Sequence, residues 1–159
     1  MKLALIGAGY WGKNLVRVFH KFSVLEIVCD KDKKILRERQ KEHPNLKITT
    51  DFSKILKDKN IKGVIISTPA ATHFKLTKQA LLNGKDVFVE KPLALKVEEG
   101  EELIRIAQRK KIILMVGHLL LYHPAIVKLE QIIKERELGE IRYIWSNRLN
   151  FGKLRREEN

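Results

Sequence analysis

The sequence predicts an α/β protein built on a doubly wound parallel sheet. Short apolar runs alternate with amphipathic segments from the start of the chain to about residue 117. This alternation is typical of a parallel sheet covered by helices on both faces. Apolar residues make up 44% of the 159 residues, enough to form a core without disulfides. The chain has a single cysteine, which favours a reducing, cytoplasmic compartment.

The predicted strands are short apolar runs bounded by polar or turn residues. They cover residues 2–6, 25–29, 47–49, 63–67, 87–90 and 112–116. The predicted helices between them cover residues 10–21, 33–41, 52–57, 70–83 and 97–109. Apolar residues at helical spacing define the first of these helices, and the second ends before Pro44, because a residue that precedes proline avoids the helical region. Asp51 is the expected N-cap of the third helix, and Gly84 ends the fourth.

The pattern changes at Pro124, which suits the first turn of a helix. An apolar face continues from there to Arg136, and Gly139 ends the helix. Apolar and polar residues then alternate over residues 141–148, which predicts a strand with two different faces. An exposed strand of this kind pairs readily, so we expect the chain to self-associate, forming a homo-oligomer.

These observations predict two domains. Residues 1–122 form the doubly wound domain, and residues 123–159 are the incomplete beginning of a second α/β domain. The second segment is too short to bury a core of its own, so we expect it to depend on further protein.

A glycine-rich turn follows the first predicted strand directly. Its sequence, Gly-Ala-Gly-Tyr-Trp-Gly, matches the dinucleotide-binding pattern G-x-G-x-x-G between a strand and a helix. Gly7 permits the tight turn, Gly9 lets a pyrophosphate approach the backbone, and Gly12 lets the helix pack on the strand. The pattern predicts a Rossmann-type site with the anion at the helix N-terminus. Tyr10 and Trp11 either pack beside the dinucleotide or cover the start of the helix.

An acidic residue lies at the end of the second predicted strand. Asp30 follows the glycines by roughly 20 residues, where a carboxylate binds a ribose 2′-hydroxyl. A carboxylate there repels a 2′-phosphate, which favours NAD over NADP as the cofactor, although the adjacent Lys31 weakens that preference. The alternative interpretation is that the glycines only form a turn and Asp30 only caps a helix.

Two further loops follow the fourth and fifth predicted strands, where open α/β sheets bind ligands. The polar and turn residues of these loops are Ser67, Thr68, Pro69, His73, Glu90 and Lys91. A lysine buried beside a nicotinamide ring loses its proton more readily and can act on a substrate hydroxyl or carbonyl. Lys91 is therefore the candidate catalytic residue. The competing interpretation, a surface lysine beside a turn proline, is equally compatible with the spacing.

Charge and composition leave other functions less favoured. The net charge of +13 makes nucleic acid a legitimate hypothesis, but the basic residues are interleaved with acids and aromatic residues are only 7%. No apolar run approaches the roughly 18 residues of a membrane span. Cys29 is expected in the core, Ser67 lacks the context of a hydrolase nucleophile, and the histidine spacing does not suggest a metal site.

Taken together, these motifs resemble the glucose–fructose oxidoreductase/inositol dehydrogenase (Gfo/Idh/MocA) family. The matching positions are the glycine pattern, Asp30, Ser67-Thr68-Pro69 with His73, Glu90-Lys91-Pro92 and Val116-Gly117-His118. The resemblance implies NAD(P)-dependent hydride transfer at a sugar or nucleotide-sugar carbon, with Lys91 in the active site and a Lys91–Pro92 bond that is often cis. It also implies that His118 lies by the nicotinamide pocket. Residues 117–124 and 148–153 are similar to the UDP-N-acetyl-sugar 3-dehydrogenase branch.

The sequence also departs from this family. Family members carry a larger C-terminal α/β domain that forms the oligomer and supplies the usual catalytic histidine. No residue of this sequence matches that histidine, and neither His118 nor His123 replaces it. We therefore expect a truncated chain that binds NAD(H) but oxidises sugars poorly or not at all. The alternatives are a non-catalytic dinucleotide-binding module and a subunit of a split enzyme.

Overall fold

A computed structural model describes residues 1–147 and 149 and divides the chain into two compact units. The first unit spans Met1–Gly117, and the second begins at His118. The segment predicted at residues 148–153 lies outside the described residues, apart from Leu149. No helix in the described part of the chain is long and apolar enough to cross a membrane.

The first unit contains a six-stranded parallel sheet. Its strands are β1 (Lys2–Ile6), β2 (Leu25–Cys29), β3 (Lys47–Thr49), β4 (Ile61–Ile66), β5 (Asp86–Val89) and β6 (Leu114–Val116). The spatial order is β3-β2-β1-β4-β5-β6, and every neighbouring pair is parallel. Chain order reverses between β1 and β4, which is the topological switch point of a doubly wound sheet.

Helices connect the strands and cover both faces of the sheet. They are α1 (Gly12–Lys21), α2 (Lys33–Glu42), α3 (Phe52–Lys57), α4 (His73–Leu82) and α5 (Val97–Lys110). Successive residues of β1 point to opposite faces, so Ala4 and Ile6 join one core cluster while Leu3 and Leu5 join the other. The first cluster includes residues of α3, α4 and α5, and the second includes residues of α1 and α2. The predicted fold class is therefore confirmed.

The boundaries of β4, β5 and β6 differ from the predicted ones by one or two residues, and β4 begins at Ile61 instead of residue 63 and β6 at Leu114 instead of residue 112. β4 ends at Ile66 and β5 at Val89, so Ser67 and Glu90 begin the loops instead of ending the strands. The predicted helix over 70–83 is a short 3₁₀ turn followed by α4. The caps agree with expectation, since the Asp51 carboxylate accepts a hydrogen bond of 2.9 Å from the Ser53 N–H.

The second unit begins with a 3₁₀ turn, Leu119–Tyr122, followed by α6 (Pro124–Lys134). The turn packs against α6, so the compact units divide after Gly117 and not after residue 122. The prediction of a strand over 141–148 is wrong for residues 141–147, which form no strand. A strand needs a hydrogen-bonding partner, and these exposed residues have no paired strand in the described part of the chain.

Candidate functional site

The glycine loop lies between β1 and α1, at the switch point of the sheet. Gly7 has φ +87°, and a Cβ there would lie 2.8 Å from the carbonyl carbon and oxygen of Ser67. A Cβ on Gly12 would lie 2.0 Å from the Gly7 oxygen. A side chain at either position would collide with backbone. Glycine is therefore required at residue 12, where the start of α1 approaches Gly7, and at residue 7, where the loop approaches Ser67 after β4.

Gly9 differs from the other two glycines of the pattern. A Cβ built on Gly9 would meet nothing within 4 Å, and its φ lies outside the left-handed range. Gly84 and Gly139 also face open space, but both have positive φ. Within the glycine pattern, Gly9 is therefore the glycine whose identity neither packing nor backbone conformation explains.

The start of α1 offers an anion an electrostatically favourable position. Trp11, the N-cap residue, makes no side-chain cap hydrogen bond, and the first turn carries no acidic residue. Backbone N–H groups at a helix N-terminus point outward and carry partial positive charge. The glycine loop and this helix start together fit the pyrophosphate of a dinucleotide.

Asp30 holds the glycine loop from the end of β2. Its Oδ2 accepts a hydrogen bond of 2.8 Å from the Ala8 N–H, and its Oδ1 accepts one of 2.9 Å from the Asp32 N–H. Asp30 is half-buried and Lys31 is exposed. The carboxylate therefore lies beside the predicted site and already has two backbone donors, while its contact with a ribose stays a prediction.

The loop after β4 is tied to the glycine loop by a side chain. The Ser67 hydroxyl donates a hydrogen bond of 2.6 Å to the Gly7 carbonyl. Within the same loop, the hydroxyls of Thr68 and Thr72 lie 2.6 Å apart, and Thr72 donates to the Pro69 carbonyl at 2.7 Å. These bonds fix the loop where the sequence predicts cofactor contacts, and the structure accounts for Ser67 as a structural donor.

Glu90 and Trp11 connect the loop after β5 to the glycine loop. The Trp11 indole N–H donates a hydrogen bond of 2.8 Å to Glu90 Oε1, across 79 positions of sequence. Glu90 is 8% exposed, and a Cβ on Gly117 would lie 3.1–3.2 Å from its carboxylate. Gly117 therefore makes room for Glu90. Trp11 is partly exposed and bonds across the site, an arrangement that the sequence did not reveal.

His73, the first residue of α4, is 1% exposed. Its Nδ1 lies 2.7 Å from the Pro92 carbonyl oxygen, and its Nε2 lies 2.8 Å from the Thr68 carbonyl oxygen. Both ring nitrogens are thus engaged by main chain, so a direct hydrogen bond from the ring to a cofactor would require one of these contacts to break.

Lys91 follows Glu90 at the carboxyl end of β5, and the Lys91–Pro92 peptide bond is cis. Lys91 and Pro92 are both exposed. The burial that the acid–base argument requires is therefore absent within the described residues. The catalytic role of Lys91 stays a prediction, and it would require a bound substrate to exclude water from the lysine.

The remaining predicted residues lie at the edges of this arrangement or outside it. Tyr10 is 74% exposed, and the Lys13 ammonium lies 5.8 Å from the centre of its ring. His118 is exposed and opens the second unit, so its place by a nicotinamide stays a prediction. Cys29 is buried in the core as predicted, and burial, with a smaller contribution from Asp30, raises the pKa of its thiol to about 11. The thiol is therefore protonated and unreactive.

Comparison with known families identifies the architecture. The model of the Gfo/Idh/MocA family, described as an oxidoreductase family with an NAD-binding Rossmann fold, matches residues 1–118. The chain belongs to this family. The predictions of the family and of NAD as its cofactor are confirmed.

Named relatives include two dehydrogenases. The chain is 30% identical over 149 residues to a UDP-N-acetylglucosamine 3-dehydrogenase of Acidithiobacillus ferrooxidans, covering 94% of this chain and 45% of the relative. It is 32% identical over 146 residues to a scyllo-inositol 2-dehydrogenase (NAD(+)) of Bacillus subtilis, and the match covers 88% of this chain and 42% of that relative. The chain thus spans about two fifths of the length of these relatives.

A solved structure agrees with this placement. The structure of GenD2 from gentamicin A biosynthesis, in complex with NAD, superposes with a TM-score of 0.80 at 27% identity. The match covers 86% of this chain and 40% of that protein.

Proposed function

We propose that this chain is the cofactor-binding part of an NAD-dependent oxidoreductase that acts on a sugar or nucleotide-sugar. The observation that carries the proposal is Gly9, whose open face is explained neither by packing nor by φ. A side chain there would occupy the space through which a pyrophosphate reaches the backbone amides. The dehydrogenases of UDP-N-acetylglucosamine and scyllo-inositol among the relatives support the substrate class.

The residues have distinct roles in this proposal. Gly7, Gly9 and Gly12 admit the pyrophosphate to the start of α1, where helix N–H groups bind it. Asp30 accepts a hydrogen bond from the adenosine ribose and also keeps the hydrogen bond that it accepts from the Ala8 N–H. The negative charge of Asp30 disfavours a 2′-phosphate, so NAD is preferred over NADP.

Lys91 is the residue proposed to act on the substrate. NAD, when bound, supplies the hydride acceptor, while the protein provides orientation and electrostatics. The Lys91 ammonium donates a hydrogen bond to the oxygen of the reacting hydroxyl, orients it and stabilises the negative charge that develops there as the hydroxyl proton passes to water. Its exposure in the described structure leaves it accessible to a sugar that arrives from solvent.

Titration with NADH, followed by nicotinamide fluorescence, tests cofactor binding. We expect Gly9→Ala to leave the free energy of unfolding within about 0.5 kcal/mol of wild type, because the new methyl meets no protein atom. We expect the same change to weaken NADH binding about tenfold or more, since it narrows the approach to the backbone. Wild-type protein that gives no saturable signal, or a Gly9→Ala variant with undiminished affinity, would refute the proposal.

A second measurement separates this proposal from a non-catalytic binding module. NADH formation is followed with NAD and a panel of UDP-N-acetylhexosamines and inositols, for wild type and Lys91→Met. Turnover that depends on Lys91 supports the oxidoreductase. NADH binding without turnover by the native assembly supports the alternative, a dinucleotide-binding module that is completed by another chain. The exposed apolar residues Ile126, Val127 and Leu129 of α6 favour this alternative, because another chain could cover them.

A further inference from the structure

Both ring nitrogens of His73 face carbonyl oxygens of the main chain. A carbonyl oxygen only accepts hydrogen bonds, and both ring nitrogens of His73 lie within 2.8 Å of one. A neutral imidazole carries one N–H, so either tautomer satisfies one carbonyl and sets a ring lone pair against the lone pairs of the other. Only the imidazolium donates from both nitrogens.

We propose that His73 is held as a buried imidazolium that clamps the loop after β4 to the loop after β5. Its two N–H groups donate to the carbonyls of Thr68 and Pro92, which lie 24 positions apart in the chain. The ring is 1% exposed, so water does not replace either bond. Charge-assisted hydrogen bonds of this kind are stronger than neutral ones, and they compensate the desolvation of the ring.

The same fold buries another cation in the same way. The Lys85 ammonium, on a residue 5% exposed, donates to the carbonyls of Asp58 and Ile61 at 2.6 and 2.7 Å. Lys85 precedes β5, and Ile61 begins β4, so this contact joins the amino ends of the strands whose carboxyl ends His73 joins. Two carbonyl oxygens are thus the hydrogen-bond partners of a second buried cationic side chain, whose charge is also favoured by the Asp58 carboxylate.

The clamp makes His73 a positioning residue for Lys91. Pro92 directly follows Lys91, so a fixed Pro92 carbonyl restricts the main chain that carries the lysine. This consequence for chemistry rests on the proposed function, whereas the protonation state does not. His73 touches neither substrate nor cofactor in this role and acts through the loop.

Nitrogen NMR of ¹⁵N-histidine-labelled protein at neutral pH tests the protonation state. The ring signals are assigned by elimination with His20→Gln, His43→Gln, His118→Gln and His123→Gln, so His73 itself stays unchanged. We expect the remaining ring to show two protonated nitrogens, without cofactor and with NADH. A ring with one unprotonated nitrogen would overturn the proposal. The result does not depend on NADH binding, so it is separable from a failure of the proposed function.

Amide hydrogen exchange tests the positioning role. We expect His73→Gln to speed exchange in the loop formed by residues 91–96 about tenfold or more, because a side-chain amide cannot bridge both carbonyls in the same geometry. Lys85→Met is the matched control, which removes a cation from the opposite ends of the same strands. Equal acceleration in both variants, or none in His73→Gln, would contradict the positioning role. If His73→Gln does not fold, the NMR measurement on the unsubstituted residue still decides the proposal.

Discussion

The two ends of the β4–β5 pair use similar contacts for different purposes. At the amino ends, Lys85 is buried against the carbonyls of Asp58 and Ile61, and desolvation lowers the pKa of its ammonium. At the carboxyl ends, His73 is buried against the carbonyls of Thr68 and Pro92. Each contact uses one buried side chain to bond two backbone carbonyl oxygens at one end of the β4–β5 pair.

What differs is the surroundings of each contact. Near His73 lie groups that stay accessible, namely the open face of Gly9, the uncapped start of α1 and the exposed Lys91. The loop that Lys85 closes carries the exposed side chains of Asp58, Lys59 and Asn60, but it contains none of the residues of the predicted cofactor site. Lys85 at the amino ends therefore contributes stability, and His73 at the carboxyl ends also fixes the conformation of the loops that form the candidate site. Substitutions at each end should separate these two effects.

The largest effect is expected for Gly12→Ala at the carboxyl end. The added methyl would lie 2.0 Å from the Gly7 oxygen, so the start of α1 must move away from β1. We expect a loss of about 3 kcal/mol in the free energy of unfolding, measured with urea, and loss of NADH binding.

Gly100→Ala in α5 is the matched control for this change. Its new methyl would meet the Leu93 side chain at 3.8 Å, an ordinary contact. Alanine is also the better helix former by about 1 kcal/mol, so this variant should be as stable as wild type or more so. A Gly12→Ala protein with wild-type stability would show that the loop tolerates displacement and that its packing is not specific.

Lys85→Met should produce the next largest effect. The substitution keeps an apolar side chain but removes the ammonium donor from both carbonyls, although the Asp58 carbonyl still accepts from the Ile61 N–H at 3.3 Å. We expect a loss of about 2 kcal/mol of stability. We expect NADH affinity to remain unchanged, because the site lies at the other ends of the strands. Lys62→Met, at an exposed position of β4, is the control and should change stability by less than about 0.5 kcal/mol. If Lys85→Met also weakened NADH binding, contacts at the amino ends would affect the cofactor site, which contradicts the proposed difference between the two ends.

The sequence predicted the carboxyl end of the sheet better than the contacts that stabilise it. The glycine pattern, Asp30 and the ends of β4 and β5 are local features, since each depends on residues adjacent in the chain. They predicted the cofactor class, which is confirmed, and they placed the candidate site at the carboxyl ends of the strands. The carboxyl ends of β4 and β5 differed by one residue, because the N–H groups of Ser67 and Glu90 still bond to β1 and β4 after the strands end.

The contacts of His73, Lys85 and Trp11 were not predictable in the same way. His73 and Lys85 bond to backbone carbonyls, which every residue carries, so no residue type marks the partner. Trp11 bonds to Glu90 across the sheet, and only the three-dimensional arrangement brings the two loops together. The alternation over residues 141–147 misled for a related reason, because a period of two identifies a candidate strand but not its hydrogen-bonding partner.

The smallest effect concerns Glu26, which joins three strands near their amino ends. Its carboxylate lies 2.6 Å from the Lys47 ammonium and 3.1 Å from the Lys2 ammonium. The hydrogen bond from Lys47, and then that from Lys2, lowers the pKa of Glu26 below its ordinary 4.5. A carboxyl group with a lowered pKa stabilises the folded state above that ordinary value, and the contribution is lost as pH falls through the folded-state pKa.

Glu26→Gln should therefore remove part of the acid dependence of stability. Both lysines are more than half exposed, so solvent screens the pairs and the difference at neutral pH is about 0.5 kcal/mol. Urea unfolding of wild type and variant between pH 7 and about pH 3 should give free-energy curves that converge at the acid end. Glu101→Gln, which breaks an exposed pair within α5, is the control and should run nearly parallel to wild type. Glu26→Gln and Glu101→Gln should both bind NADH with wild-type affinity. If the free-energy curves of Glu26→Gln and wild type stayed equally separated at every pH, the packing of the Glu26 side chain, and not its charge, would account for the stabilisation.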